Sequence, residues 1–327
     1  MPIRIVANPP LERPTEASAL VRGMDARVIW IDLLNPTPEE RRQVERLFGI
    51  DLPTLEDMKE IETTSRLYAE DGARFMTAPI LSQVESSLPQ KTEISFILVG
   101  EALITIRETN LKSFGAVMAQ CDRRGVASRD QVLLSLLDAI IDRQADLLER
   151  VAKEIDTISQ NIFQREIPNR PSENVLRDTL CELGRNGDLI AREQESLVAL
   201  SRLVQYAGQT DFDAHERDPG VALYPRLKPV ARDLHSLTEF AGFLSNKVNF
   251  LLDATLGLIQ IEQSSIVKIF TVAAVIFLPP TLVASVYGMN FTHMPELSQR
   301  WGYPFALLLM VVSVALPLWY CRRKNWL

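Results

Sequence analysis

Ile269–Tyr287, IFTVAAVIFLPPTLVASVY, and Tyr303–Cys321, YPFALLLMVVSVALPLWYC, are two uncharged runs of nineteen residues each. That length matches the ~20 apolar residues needed to cross a ~30 Å hydrocarbon core. The connection between them, Gly288–Gly302, has only fifteen residues, so the two spans form a hairpin and both flanks lie on one side of the bilayer. Lys268 stands before the first span and Arg322-Arg323-Lys324 follows the second. By the positive-inside rule that side is cytoplasmic. Trp301, Tyr303, Trp319 and Tyr320 fall where interfacial aromatics belong. The expected location is therefore the inner (plasma) membrane, multi-pass, with both termini cytoplasmic and the lipid bilayer as a partner.

Outward from the hairpin the composition changes. Up to about Ser265 charged residues recur every few positions, as in a soluble domain with its own core. Among the 327 residues the net charge is −7, which argues against a nucleic-acid partner. Three widely spaced cysteines, Cys121, Cys181 and Cys321, form no metal-ligand or disulfide pattern and suit a reducing compartment. The N-terminus MPIRIVANPP lacks the apolar core of a signal peptide. No Gly-rich phosphate loop, Gly-x-Ser-x-Gly elbow or His-Glu-x-x-His helix occurs, so an enzyme is not expected.

The first third reads as mixed α/β. Ile3–Ala7, Val28–Leu33, Phe75–Val84, Ile94–Val99 and Ala102–Arg107 are predicted strands, the last two joined tightly through Gly100-Glu101. Thr37, Pro38 and Glu40 predict a helix start by N-cap, N1 proline and capping box, and Gly49 predicts its end. From Arg129 the apolar period changes to three and four, predicting a long helix to about Arg165. Pro168 and Pro171 interrupt it, and Ser172 or Asn174 starts a second helix to about Tyr206, followed by a loop from Ala207. In a third helix Leu234, Leu237, Ala241, Leu244, Val248, Leu251, Thr255 and Leu258 form a seam suited to packing against like helices. No proline interrupts Pro229–Pro279, so this stalk is expected to enter the membrane unbroken. Some fifty residues at ~1.5 Å each would extend roughly 75 Å.

The expected fold is thus an α+β cytoplasmic domain followed by a long stalk helix and a two-helix transmembrane hairpin. Its parts are an α/β domain (1–128), a helical hairpin (129–225), the stalk and first span (226–287), an external loop (288–302), the second span (303–321) and a basic cytoplasmic tail (322–327). Two helices enclose no pore, so transport requires several subunits. Ser264, Val267, Thr271, Ala274, Leu278, Thr281 and Ser285 recur at three and four along the stalk and first span. This stripe is either a pore lining or a helix-packing face of small residues. It carries no carboxylate, which fits an ion that keeps much of its hydration shell, as Mg²⁺ does.

At Tyr287-Gly288-Met289-Asn290 the chain resembles the CorA family, whose hallmark is Gly-Met-Asn at the outer end of the first membrane helix. Ile276-Phe277-Leu278-Pro279-Pro280-Thr281, Met294-Pro295-Glu296-Leu297, Gly302-Tyr303-Pro304 and Lys324-Asn325-Trp326-Leu327 extend the resemblance. It implies a homopentamer with one central pore lined by the first membrane helices. It implies that Gly288, Met289 and Asn290 form the external selectivity site, holding a hydrated ion through its waters. Glu296 matches an acid that concentrates cations at the mouth. Thr281 matches a polar pore residue, and Leu278, Phe270 and Val267 match hydrophobic constrictions, with Phe270 lying beside the stripe. Many relatives carry Asn where this chain has Ser264, and His293 adds an imidazole to the external loop.

The function so implied is Mg²⁺ influx through a channel, driven by membrane potential, with Co²⁺ and Ni²⁺ as further candidate ions. Mg²⁺ is then both the transported and the regulatory ion, and no cofactor is expected. In the resembling family Mg²⁺ bound to acidic residues between cytoplasmic domains favours the closed pore. Asp253 is the candidate regulatory ligand near the axis. Alternatives are a zinc transporter of the same superfamily and a membrane-anchored scaffold or sensor; retention of Gly-Met-Asn favours magnesium.

Overall fold

The computed structural model describes residues 3–8, 27–60, 62–82, 89–126, 128–163, 173–209, 224–289 and 301–323. Its chain falls into two compact units, Met1–Glu166 with Leu180–Leu251, and Ile167–Thr179 with Leu252–Leu327.

The first unit holds a six-stranded sheet. Strands β1 (Ile3–Asn8), β2 (Arg27–Leu34), β3 (Leu67–Glu70), β4 (Ala73–Ser82), β5 (Gln90–Val99) and β6 (Ala102–Arg107) lie in the order β1-β2-β6-β5-β4-β3. Only β2 and β6 run parallel, with Trp30 opposite Leu103 and Asp32 opposite Thr105. The remaining neighbours are antiparallel. All strands expected from the sequence are present. β4 begins at Ala73 and β5 at Gln90, earlier than expected, and Val84 lies outside the described residues. The edge strand β3 carried no strong periodic signal.

Both faces of the sheet are covered, so successive residues of a strand enter two different cores. One face contributes Ile31, Leu33, Phe75, Ile97, Ile104 and Ile106, packed with Val44, Ile50 and Met58. Val44 lies on α1 (Pro38–Phe48) and Met58 on α2 (Leu55–Met58). α1 begins as its sequence dictates. Thr37 accepts from the Glu40 amide and Glu40 reaches back to the Thr37 amide, closing a capping box. Gly49 ends it at φ 67°, a left-handed conformation costly for other residues. A one-turn helix, α3 (Thr63–Arg66), precedes β3. On the other face Trp30 and Phe96 meet Phe114 of α4 (Lys112–Arg124), with ring centroids 6.1 and 6.4 Å away.

Helix α5 (Arg129–Phe163) buries Val132, Leu133, Leu136, Leu137, Ile140, Ile141, Leu147, Leu148, Val151, Ile155 and Ile158, the apolar face read from the sequence. Helix α6 (Glu173–Gln209) runs past Tyr206 instead of ending there. Ala207 is completely buried, so the helix gains packing by continuing where the polar composition beyond it suggested a loop.

Helix α7 is a single element, Tyr224–Tyr287, of 64 residues. Pro225 falls in its first turn, where a missing N–H costs nothing. Within the first unit, its seam residues Leu234, Ala241, Leu244, Val248 and Leu251 are buried inside one protomer. A Cβ on Gly187 of α6 would sit 3.5 Å from Val248 Cγ1. Lys247 pairs with Asp156 of α5, and Phe250 stacks on Phe163 with centroids 6.0 Å apart. This part of the seam is therefore buried within its own chain, beside α6, while neighbouring residues of α7 reach α5.

The second unit contains the end of α7 and helix α8 (Gly302–Arg323). α8 extends the expected span at both ends. Arg322 and Arg323 belong to its last turn, where cations complement the helix dipole, and Arg323 lies over the Trp319 ring at 5.4 Å. Residues beyond 323 lie outside the described part.

Candidate functional site

From Ile269 to Tyr287 α7 has no ionisable side chain except the terminal Tyr287, and several of its large apolar residues are bare. Ile269, Phe270 and Phe277 are 69%, 72% and 71% exposed within the protomer. On α8, Tyr303, Leu308 and Val311 are similarly open. Both helices are long and apolar enough to cross a membrane. Such contiguous apolar surface is tolerated by lipid or by other subunits, not by water.

Exposure is not uniform around α7. Ser264, Val267, Phe270, Thr271, Ala274, Leu278, Thr281 and Ser285 are all exposed. Ser265, Val272, Ile276, Pro279, Val283 and Tyr287 are only half-exposed. At ~100° per residue the centres of these two sets lie roughly half a turn apart. The small and hydroxyl residues thus occupy the flank left open by the chain's own packing. Phe270 sits at the margin of that flank, as its spacing indicated.

The hydroxyls are oriented by the helix itself. Thr271 donates to the Val267 carbonyl at 2.8 Å and Thr281 to the Phe277 carbonyl at 2.6 Å. Each hydroxyl proton is thereby committed to the backbone, leaving the oxygen lone pairs as the available polar feature. That arrangement suits a cation or the hydrogens of its water shell. Pro279 and Pro280 sit inside the helix and supply no N–H to the carbonyls of Val275 and Ile276. Bends in helices concentrate where prolines and back-bonded threonines coincide.

At the end of α7 the Gly288 amide donates to Ala284 O at 2.9 Å and the Met289 amide to Val286 O at 3.3 Å. A Cβ on Gly288 would stand 3.0 Å from that same Ala284 oxygen. A side chain here would be tight against the backbone, so glycine suits the close approach as the helix terminates. Met289 is 48% exposed. Asn290, His293 and Glu296 lie outside the described residues.

Asp253 is exposed on α7 and, by helical register, lies on the same flank as the stripe. Among the described residues no group of three or more His, Cys, Asp or Glu side chains is arranged to hold a metal. Sequence reasoning missed the buried ionisable groups of the first unit. Glu193 is fully buried with neither carboxylate oxygen hydrogen-bonded, and burial pushes its pKa up to about 8. Glu93 is likewise raised by burial, against the opposing charges of Arg66, 3.8 Å away, and Lys91. Neither residue belongs to a motif, so only burial reveals them.

A sheet-based α/β unit followed by two bare apolar helices, each long enough to cross a membrane, points to an integral membrane protein, and an uncharged hydroxyl-bearing flank is compatible with transport. Comparison with known proteins agrees. The sequence profile of the family described as CorA-like Mg²⁺ transporter protein matches residues 25–323. The chain is 33% identical over 311 residues to the magnesium transport protein CorA of Wolinella succinogenes, covering 92% of each. It is also 33% identical over 303 residues to the protein of that name from Salmonella typhimurium, covering 91% of this chain and 92% of that one. Its fold is similar to the complete structure of the CorA magnesium transporter from Methanocaldococcus jannaschii. The TM-score is 0.74 and the identity 19%, over 99% of this chain and 98% of the other. The chain belongs to the CorA family.

Proposed function

We propose that this protein is a Mg²⁺ influx channel, assembled as a homopentamer around the exposed flank of α7. The observation that carries the reading is the uncharged stripe Ser264–Ser285, open on the side of α7 away from its half-buried face. One protomer cannot enclose a pore, and a flank of hydroxyls and small residues on five copies could surround one. Thr281 and Thr271 offer oxygen lone pairs to a hydrated ion, and Val267, Phe270 and Leu278 act as apolar constrictions. Gly288, Met289 and Asn290 form the outer selectivity site, and Glu296 concentrates cations at its entrance. Mg²⁺ surrenders water reluctantly, so recognition through its hydration shell needs amide and carbonyl oxygens more than carboxylates.

The distribution of Lys268, Arg322 and Arg323 supports cytoplasmic termini and a cytoplasmic sheet domain in the inner membrane. Co²⁺ and Ni²⁺ are further permeant ions, and the membrane potential drives entry. Cytoplasmic Mg²⁺ closes the channel by binding between subunits, with Asp253 as one ligand.

Mg²⁺ uptake into proteoliposomes, with Zn²⁺ in parallel, tests the reading. The unmodified protein should carry Mg²⁺. Asn290→Ala or Gly288→Ala should abolish uptake while the oligomer persists on size-exclusion chromatography. Normal Mg²⁺ uptake by an assembled Asn290→Ala protein would overturn the selectivity assignment. Zn²⁺ flux without Mg²⁺ flux would make the protein a zinc transporter, and no flux of either would leave the anchor reading.

A further inference from the structure

We infer that the sheet domain carries a binding pocket for a small phosphate monoester, separate from the cation pathway. The pocket is a partly enclosed cavity of about 140 Å³ where the end of β4 and the start of α4 meet the middle of α5 around Ile140–Gln144. It is well below the ~300–1,000 Å³ typical of sites for drug-sized ligands, so its occupant is small.

Three features of the wall point to an anionic group with a hydrogen-bond donor. First, the N-terminus of α4 opens on the cavity through Leu111, Lys112 and Ser113. The N-cap position is Leu111, so no side chain caps this thirteen-residue helix, and its first turn holds no acid. The Ser113 and Phe114 amides belong to the first turn, where the helix provides no acceptor and the dipole favours a negative group. Second, the cationic side chains Lys112 and Arg143 both line the cavity. Third, Gln144 lines the same space, is only 1% exposed, and its Oε1 has no hydrogen-bond partner. An orphan buried acceptor is destabilising, and a ligand donor would relieve it.

These features select among oxyanions. A carboxylate or sulfate could meet the helix terminus and the two cations but brings no donor to Gln144. A singly protonated phosphate offers both, accepting from the amides and Arg143 while its P–O–H donates to Gln144 Oε1. Ile140, Leu81 and Leu111 give the rest of the wall an apolar character, which favours an ester with a short hydrocarbon body over the bare ion.

The test is ligand binding to the full-length protein in detergent, followed by ³¹P line broadening and by thermal shift. Inorganic phosphate, a small phosphate monoester such as phenyl phosphate, benzoate and sulfate serve as probes. Phenyl phosphate should bind saturably and more tightly than inorganic phosphate, and benzoate and sulfate at least about tenfold more weakly. Arg143→Gln and Gln144→Leu should each weaken phenyl phosphate about tenfold or more. Gln144→Leu should also raise the melting temperature of the free protein, because it removes the orphan acceptor. Should Arg143→Gln fail to fold, Arg143→Lys with its altered ³¹P shift replaces it. No saturable binding by the unmodified protein, equal binding of benzoate, or unchanged affinity in both folded variants would overturn the assignment. Because the probes carry no divalent cation, failure here leaves the ion-channel reading untouched, and loss of Mg²⁺ uptake would not mimic it.

Discussion

Arg107 and Asp32 form a bidentate ion pair in the middle of the sheet domain, with Nη2 to Oδ2 at 2.7 Å and Nε to Oδ1 at 3.0 Å. Both side chains are 1% exposed. The pair ties β2 to its one parallel neighbour, β6. Thr105 donates to the same carboxylate at 2.9 Å and accepts from the Trp30 indole at 3.0 Å. Arg107 also donates from Nη1 to Thr109 O at 2.8 Å and lies 4.6 Å from the centre of the Phe114 ring. Trp30, Asp32, Thr105 and Arg107 share these partners, so each depends on the others.

Asp32→Ala should therefore destabilise the sheet domain by about 3–5 kcal/mol, because it strands a buried guanidinium. Arg107→Met combined with Asp32→Leu should recover most of that loss. Thermal melts of the full-length protein followed by circular dichroism would check both variants. A loss below about 1 kcal/mol for Asp32→Ala would show that the pair is dispensable.

Glu193 predicts a pH dependence of stability. Its folded pKa is about 8, above the ordinary 4.5, because burial disfavours the charged form. The unfolded chain releases this proton near pH 4.5 and the folded chain does not until about pH 8, so stability falls across that window and then levels off. At ~1.4 kcal/mol per pH unit the loss is at most about 5 kcal/mol. Glu193→Gln should flatten this component of the curve. Equal slopes for the variant and the parent between pH 5 and 8 would contradict it.

The open flank of α7 predicts a pattern of accessibility. In a Cys181→Ser background, which removes the exposed native cysteine, thiol reagents should block Mg²⁺ uptake by Thr271→Cys, Leu278→Cys and Ser285→Cys. Val272→Cys, Ile276→Cys and Val283→Cys, on the half-exposed face, should be modified slowly and without effect. Inhibition confined to the second set would place the pathway on the wrong flank.

Driving force gives a further expectation. A dipositive ion crossing 100 mV gains about 4.6 kcal/mol, at ~2.3 per elementary charge. With equal Mg²⁺ on both sides, net uptake should stop when the potential is clamped at zero. Uptake that continued on a proton gradient alone would identify a coupled transporter.

Closure by cytoplasmic Mg²⁺ predicts that the ion orders the soluble part. If Mg²⁺ binds the closed arrangement more tightly, millimolar Mg²⁺ shifts the population towards it. Amide exchange around Asp253 should slow between low and millimolar Mg²⁺, and Asp253→Asn should lessen the change. Unaltered exchange together with unaltered channel opening would rule out this regulation.

Much of this architecture was legible in the chain because it is written in local signals. Nineteen-residue apolar runs, the Thr37–Glu40 capping box, Gly49 and the three-four repeats of α5 act within a few residues of themselves, so periodicity and propensity reveal them. Helix α4 was not anticipated, since its N-cap position is Leu111, which provides no polar cap, and it carries Gly115 within it. Tertiary packing on Trp30 and Phe96 stabilises it instead. The same holds for the last turn of α6 around buried Ala207.

The sequence by itself determined the membrane hairpin, the mixed domain before it and the family, because hydropathy and a contiguous motif need no knowledge of what lies across the fold. Only the tertiary structure decided which partners long-range contacts choose. It buried the first-unit part of the α7 seam within its own chain, with Val248 against Gly187 of α6, and left the hydroxyl flank open. It also joined Asp32 to Arg107 across 75 positions. Glu193 and Gln144 acquire their character from burial alone, and burial depends on residues distant in sequence that no local pattern can name.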